Sequence, residues 1–260
     1  MCILLLSLQQ HPQYPLIVAA NRDEFYDRPT SAAAFWDDAP HVLAGRDLRQ
    51  GGTWLGITRQ GRFAALTNFR DSDSPPAERP SRGHLVSKFL LSGVPPEAYL
   101  RAVAQRADQY NGFSLIAGQG DHFFFYSNRE GQVRRLDPGV YGLSNHLLNT
   151  PWPKVTRGTQ NLSELLSAGG DPEPDVLFAT LADGAIAEDA ELPDTGIGLA
   201  RERLLSPLFI SGTHYGTRSS TVVLIDNDRK VTFVERTFDR GPERYNAVVH
   251  SFQIGTGESG

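Results

Sequence analysis

The opening Met1-Cys2-Ile3-Leu4-Leu5-Leu6-Ser7-Leu8 and the later Leu16-Ile17-Val18-Ala19-Ala20-Asn21-Arg22-Asp23-Glu24 are the two stretches that decide how this chain folds. Ile3 to Leu8 and Leu16 to Ala20 are apolar runs of strand length. The segment between them, Gln9-Gln10-His11-Pro12-Gln13-Tyr14-Pro15, is polar and broken by two prolines, as a hairpin loop requires. Folding about Pro12 sets Cys2 opposite Arg22 or Asp23, and a slip of one residue exchanges the two. Cross-strand partners on one face hold their Cβ atoms about 5 Å apart. A thiol, a guanidinium and carboxylates therefore meet at one end of a sheet.

That meeting is chemically suggestive. Methionine ahead of a residue as small as cysteine is normally clipped, and Cys2 would then carry a thiol and a free α-amine together. An α-amine has a pKa of about 7.7–8, so it can take the thiol proton near neutral pH. Arg22 would stabilise the thiolate and Asp23 would orient the amine. If Met1 is retained, the amine lies in a peptide bond and this base is lost. The alternative reading of Cys2 is a small hydrophobe at the start of a strand. The residues alone leave both readings open.

Further along, Gly51 to Asn68 reads as a second hairpin, with Trp54-Leu55-Gly56-Ile57 and Phe63-Ala64-Ala65-Leu66 flanking the turn Arg59-Gln60-Gly61. Its fold brings Gly51-Gly52-Thr53 beside Thr67-Asn68. Glycines at a strand end allow close approach of a ligand to the backbone. Asn68 offers an amide of the kind that stabilises an oxyanion, or else a turn cap.

The run Asn21-Arg22-Asp23-Glu24-Phe25-Tyr26-Asp27-Arg28-Pro29-Thr30 after a Met-Cys strand resembles the NRDE-motif family, the transport-and-Golgi-organisation proteins of bacteria and eukaryotes. The match continues through Gly51-Gly52-Thr53-Trp54-Leu55-Gly56, Thr67-Asn68-Phe69-Arg70, Gly142-Leu143-Ser144-Asn145, Pro151-Trp152-Pro153-Lys154 and Gly216-Thr217-Arg218-Ser219-Ser220-Thr221. The family is similar in layout to N-terminal-nucleophile hydrolases of the choloylglycine hydrolase type. The resemblance implies an α+β fold, an αββα sandwich of two antiparallel sheets between helical layers. It also implies a role in intracellular haem trafficking and lipid or acyl-CoA homeostasis. By the same resemblance Asn145 helps to hold a substrate carbonyl and Arg218 is a second arginine brought to Cys2. The catalytic candidates are thus Cys2, Arg22, Asp23, Asn68, Asn145 and Arg218. The ligand-binding candidates from the matched motifs are Asn21, Glu24, Arg28, Gly51, Gly52, Thr53, Trp54 and Arg70.

Asp27 to Ala44 is expected to be a polar loop dotted with aromatics, in which Phe35 and Trp36 either cap a pocket or pin the loop. Asp71 to Pro80 is a proline-rich, charged and mobile loop. Leu85 to Leu91 and Glu97 to Tyr110 have helical spacing, the latter after Pro95-Pro96. Phe113 to Ala117, Phe123 to Ser127, Val133 to Leu136 and Val140 to Leu143 read as a meander of strands. Lys154 to Ser167, Asp175 to Ala182 and Arg201 to Leu208 read as helices. Thr221 to Asp226 and Val231 to Arg236 form a last hairpin about Asn227-Asp228. Residues 1–260 are expected to make one domain, with Ser251 to Gly260 a flexible tail.

Composition bounds the function. An apolar share of 40% and a charged share of 21% describe an ordinary globular chain. With a net charge of −5 and no basic run beyond two residues, nucleic acid is not expected as a partner. One cysteine excludes an internal disulfide, and no run approaches the ~20 apolar residues of a membrane span or forms a signal-peptide core. A cytoplasmic protein without stable membrane insertion is expected. The seven histidines lack metal-ligand spacing, so no metal site is expected.

Two functions follow. The first is a carrier that binds a small apolar anionic ligand, haem or an acyl-CoA-like molecule, in an apolar-aromatic cleft flanked by arginines near Cys2. No cofactor is required in that reading, and haem is cargo; His146 is not expected to be its axial ligand. The alternative is a cysteine amidase or acyl transferase that uses Cys2 once Met1 is removed.

Overall fold

The computed structural model describes residues 2–71 and 79–255. Met1, residues 72–78 and the last five residues lie outside the described residues, and with them most of the expected loop at 71–80 and the end of the expected tail. In chain order the elements are β1 (Cys2–Leu8), β2 (Leu16–Phe25), β3 (Thr30–Trp36), β4 (Ala39–Asp47), β5 (Leu55–Thr58), β6 (Arg62–Asn68), α1 (Gly83–Leu91), α2 (Pro96–Ala104), β7 (Phe113–Gln119), β8 (His122–Ser127), β9 (Val133–Leu136), β10 (Gly139–Leu143), α3 (Pro153–Ser167), α4 (Pro174–Leu181), α5 (Leu199–Leu205), β11 (Tyr215–Ile225), β12 (Lys230–Phe238) and β13 (Tyr245–Gln253).

The strands make two antiparallel sheets, ordered β10-β1-β2-β11-β12-β13 and β3-β4-β5-β6-β7-β8-β9 among the described residues. The period of two along β1 explains how they stack. Leu4, Leu6 and Leu8 point between the sheets, into a core shared with Phe63, Ile116 and Phe125. Ile3 and Leu5 point the other way, against Leu162 of α3 and Leu177, Phe178 and Leu181 of α4. On the far side of the second sheet, Ala64, Leu115 and Phe113 meet Val86 and Phe89 of α1 and Leu100 of α2. Helix, sheet, sheet, helix is the αββα order expected.

Cys2 pairs with Arg22 and Leu8 with Leu16, which resolves the open register of the first hairpin. β2 is central, so the polar run that ends it is laddered on both sides. β11 sets Thr217 opposite Asp23 and Ser219 opposite Arg22, with a register shift at Arg218.

Three expectations need correction. Asp27 to Ala44 is not a loop: β3 and β4 fill most of it. Ser31-Ala32-Ala33-Ala34 has weak intrinsic strand preference, and tertiary pairing supplies the order, with Ala33 N donating to the buried Glu235 carboxylate at 2.7 Å. Phe35 and Trp36 pin these strands. Trp36 is buried and donates to Ala44 O at 3.1 Å, while Phe35 packs toward the inter-sheet core under Arg59. The expected meander is also split, because β10 leaves β9 and joins the other sheet beside β1. Last, the tail does not begin at Ser251. β13 continues to Gln253, and Ile254 is buried against Gly61. Among the described residues no helix is long and apolar enough to cross a membrane.

Candidate functional site

Cys2 opens β1 and is half-buried at a cavity of about 260 Å³. Arg22, Asp23 and Glu24 come to it from the end of β2, Trp54 and Asn68 from the second sheet, and Arg79, Arg82 and Gly83 from the approach to α1. The alternation that sends Leu4 inward also sends Cys2 and Arg22 between the sheets. There the Arg22 guanidinium carbon stands 4.2 Å from the Trp54 ring centre, and its Nη2 is 3.8 Å from Glu24. Glu24 also faces Arg28 at 3.7 Å, and Arg28 is held at 2.6 Å by Asp47. A row of arginines, anchored by two carboxylates, thus borders the thiol. The lining is polar, with Trp54 and Leu66 its main apolar members, so the expected apolar-aromatic cleft is not what surrounds Cys2. A larger cavity of about 580 Å³ lies at the other end of the sheets, by Leu8, Leu16 and Ile225, remote from the thiol.

The electrostatics oppose one another closely. Burial pushes the Cys2 thiol up, as does the Asp23 carboxylate, while Arg22 and the main-chain N–H of Asp23 pull it down. Burial raises the Asp23 carboxyl, against the pull of Lys154, a 2.7 Å hydrogen bond from the Thr217 hydroxyl and the charge of Arg22. Lys154, on the first turn of α3, is 2% exposed, and burial pushes it down to about 8 against the attraction of Asp23. Neither Lys154 nor Arg82 was among the residues expected at the site. Lys154 could have been found, because it closes the Pro-Trp-Pro-Lys match. Arg82 and Arg79 had no signal beyond their place before a helix.

Several expected residues lie elsewhere. Asn145, fully buried in a left-handed conformation (φ 55°), donates to Asn68 O at 3.0 Å and accepts at 3.3 Å from the Ser144 hydroxyl. It braces Asn68 and does not line the cavity; Ser144 also holds the Cys2 carbonyl at 3.0 Å. Arg218 is not brought to Cys2. At the register shift its Nη1 donates to the carbonyls of Phe25, Tyr26 and Arg28, and it borders a neighbouring cavity that shares Arg22 and Trp54 with the one at Cys2. Asn21 faces the helical layer, donating at 2.9 Å to both Leu181 O and Leu208 O. Arg70 is buried against Glu202 at 2.5 Å and over the Trp152 ring. Gly51 is a left-handed turn residue (φ 74°) outside the lining, whereas Gly52 and Thr53 line it. The close approach at Gly52 is made by protein, because a Cβ there would stand 2.7 Å from the backbone of Gly83. His146 stacks between Phe69 and Trp152 and bonds Thr150 at 2.8 Å. Among the described residues no cluster of His, Cys, Asp and Glu could hold a metal ion.

The family model described as Transport and Golgi organisation 2 matches residues 1–240. The Transport and Golgi organization protein 2 homologues of Bos taurus and Homo sapiens are each 40% identical, over 98% of this chain and 99% of theirs. The Drosophila melanogaster protein of that name is 30% identical over 91% of this chain and 92% of its own. Among solved structures, the chain is similar to a Caenorhabditis elegans N-acylethanolamine-hydrolyzing acid amidase orthologue, with TM-score 0.48, 11% identity and coverage of 86% of this chain and 92% of that one. A mutant conjugated bile acid hydrolase of Clostridium perfringens aligns with TM-score 0.44 and 10% identity, over 98% of this chain and 97% of that one.

Proposed function

The chain belongs to the Transport and Golgi organisation 2 family, and within that family we propose for it Cys2-centred acyl chemistry on an amide or thioester that carries a carboxylate or phosphate. The observation that carries this reading is the place of Cys2, at an arginine-bordered cavity and paired across the ladder with Arg22. With Met1 removed, the Cys2 Sγ attacks the carbonyl carbon and its proton passes to the α-amine of the same residue. The α-amine then gives that proton to the departing amine or thiol as the acyl C–N or C–S bond breaks. Water attacks the resulting thioester, frees the carboxylic acid and restores the thiol. Asn68, held by Asn145 through its carbonyl, lines the same cavity, and in this reading its side-chain amide serves the developing oxyanion. Arg79 and Arg82 bind the anionic part of the substrate.

A cavity of about 260 Å³ is at the low edge of the ~300–1000 Å³ typical of small-molecule sites, so it receives the reacting end of a substrate and not the whole of a large one. A second reading, cytoplasmic carriage of haem or acyl-CoA, draws on the same arginines as carboxylate or phosphate partners. The polar lining favours the first.

The experiment is mass spectrometry of the protein before and after incubation with a panel of amides and thioesters bearing anionic groups. An intact mass lacking one methionine, an acyl adduct on Cys2 and free product are expected, and Cys2→Ala loses the adduct and the product together. Protein that lacks Met1 yet gives no adduct or turnover, while still binding haem or acyl-CoA equally well with Cys2→Ala, would favour the carrier.

A further inference from the structure

Lys154 breaks two rules of local structure at once. It sits on the first turn of the fifteen-residue α3, where the helix dipole disfavours a cation. It is also 2% exposed, and among the described residues its Nζ has no hydrogen-bond partner. A buried ammonium without hydrogen bonds is costly, and such a residue persists where charge is needed.

The packing of α3 explains where that charge is delivered. Gly158 has no Cβ, and one built there would stand 2.8 Å from Leu5, so the helix lies directly on β1. Val155 and Thr159 press in the same way on Gly142 of β10, the cross-strand partner of Leu5. One turn before Gly158, the lysine is carried toward the Cys2 end of β1, on the helical side of the sheet. Asp23 projects to that side by the alternation that sends Arg22 to the other. The thiol is thus flanked by Arg22 from the inter-sheet side and by the Asp23–Lys154 pair from behind.

We propose that Lys154 is a positioning residue whose ammonium holds Asp23 ionised and favours the Cys2 thiolate from behind the sheet. The inference rests on the Cys2-centred reading. The groups that act on Lys154 are Asp23, Cys2 and Glu202, which favour its charged form, and Arg70, which opposes it. Burial leaves the amine near the point of losing its proton, at about 8, so the support it gives weakens as pH rises past that value.

The test reads thiol reactivity and needs no substrate: the rate of iodoacetamide alkylation of Cys2, followed by intact mass from pH 6 to 10. Lys154→Met fills the same volume without the charge, and Lys154→Arg keeps the charge. An opposite charge close to a titrating group moves it by about one unit or more. Lys154→Met is therefore expected to shift the alkylation rate down by roughly tenfold below pH 8, where the ammonium carries its charge, with the difference closing as pH rises past that value, and Lys154→Arg to restore most of the loss. An unchanged rate below pH 8 in Lys154→Met, or equal shifts in Met and Arg variants, overturns the proposal. Lys154→Gln gives the same comparison should the Met variant unfold. Because alkylation requires no turnover, a protein inactive on every substrate can still show the shift, and an active one can lack it.

Discussion

The guanidinium carbon of Arg22 stands 4.2 Å from the centre of the Trp54 ring, which ties the strand beside Cys2 to the opposite sheet. The contact is buried on the arginine side, at 6% exposure, and such pairs contribute about 1–2 kcal/mol when desolvated. Arg22→Lys keeps a charge but loses the planar stack and the fork that faces Glu24. A double-mutant cycle over Arg22→Lys and Trp54→Leu, measured by urea unfolding, is expected to give a coupling of about 1 kcal/mol. Losses that simply add would show the stack to be idle.

Asn21 makes the opposite kind of contribution. Its amide donates to Leu181 O and Leu208 O, and its Oδ1 accepts from Ser220 Oγ at 2.5 Å, all within the layer that joins sheet to helices. Asn21→Ala strands two buried carbonyls and a hydroxyl, so a loss of about 2–4 kcal/mol is expected. Chemical denaturation checks the loss. The Cys2 alkylation rate of the folded fraction should match that of the unmodified protein, because Asn21 does not line the cavity.

These two neighbours in the NRDE run show what sequence could and could not reveal. The first hairpin was legible because apolar strand runs and proline punctuation agree, and the ladder then fixes Cys2 opposite Arg22. Which motif residues face the cavity was not legible. Period two sends Asn21 and Arg22 to opposite faces, but sequence does not say that both faces are covered. Arg218 misled for a related reason. A one-residue register shift redirects it onto carbonyls of Phe25, Tyr26 and Arg28, and bulges leave little trace in composition. β3 was hidden by its alanines and β13 by exposed polar alternation, both ordered by pairing rather than by propensity.

Gly51 and Gly52 are adjacent but should respond differently to alanine. At Gly51 the obstacle is the left-handed backbone alone, since nothing lies within 4 Å of a built Cβ. Gly51→Ala is expected to cost about 1 kcal/mol. At Gly52 a Cβ would meet the Gly83 backbone at 2.7 Å, and the first turn of α1 must retreat. Overpacking against backbone costs about 1–3 kcal/mol, and Gly83 and Arg82 line the cavity. Gly52→Ala should therefore lower both stability and Cys2-dependent activity, while Gly51→Ala lowers stability alone. Thermal unfolding together with turnover separates them.

Glu235 makes stability depend on pH. It lies on β12, 1% exposed, accepting from Ala33 N at 2.7 Å and from the Thr221 hydroxyl at 3.3 Å, with Ser219 and Arg22 also acting on it. Burial outweighs those bonds and raises the carboxyl from 4.5 to about 7. The folded protein then binds this proton more tightly than the unfolded chain does. The stability it contributes is complete below 4.5 and is lost as pH rises through 7, a change of about 3 kcal/mol. Glu235→Gln keeps an acceptor for Ala33 N and removes the titration. Its stability should match that of the unmodified protein near pH 4.5 and exceed it above pH 7. Urea midpoints measured from pH 4.5 to 8 are expected to diverge steadily between the two proteins, and parallel curves would refute the raised carboxyl.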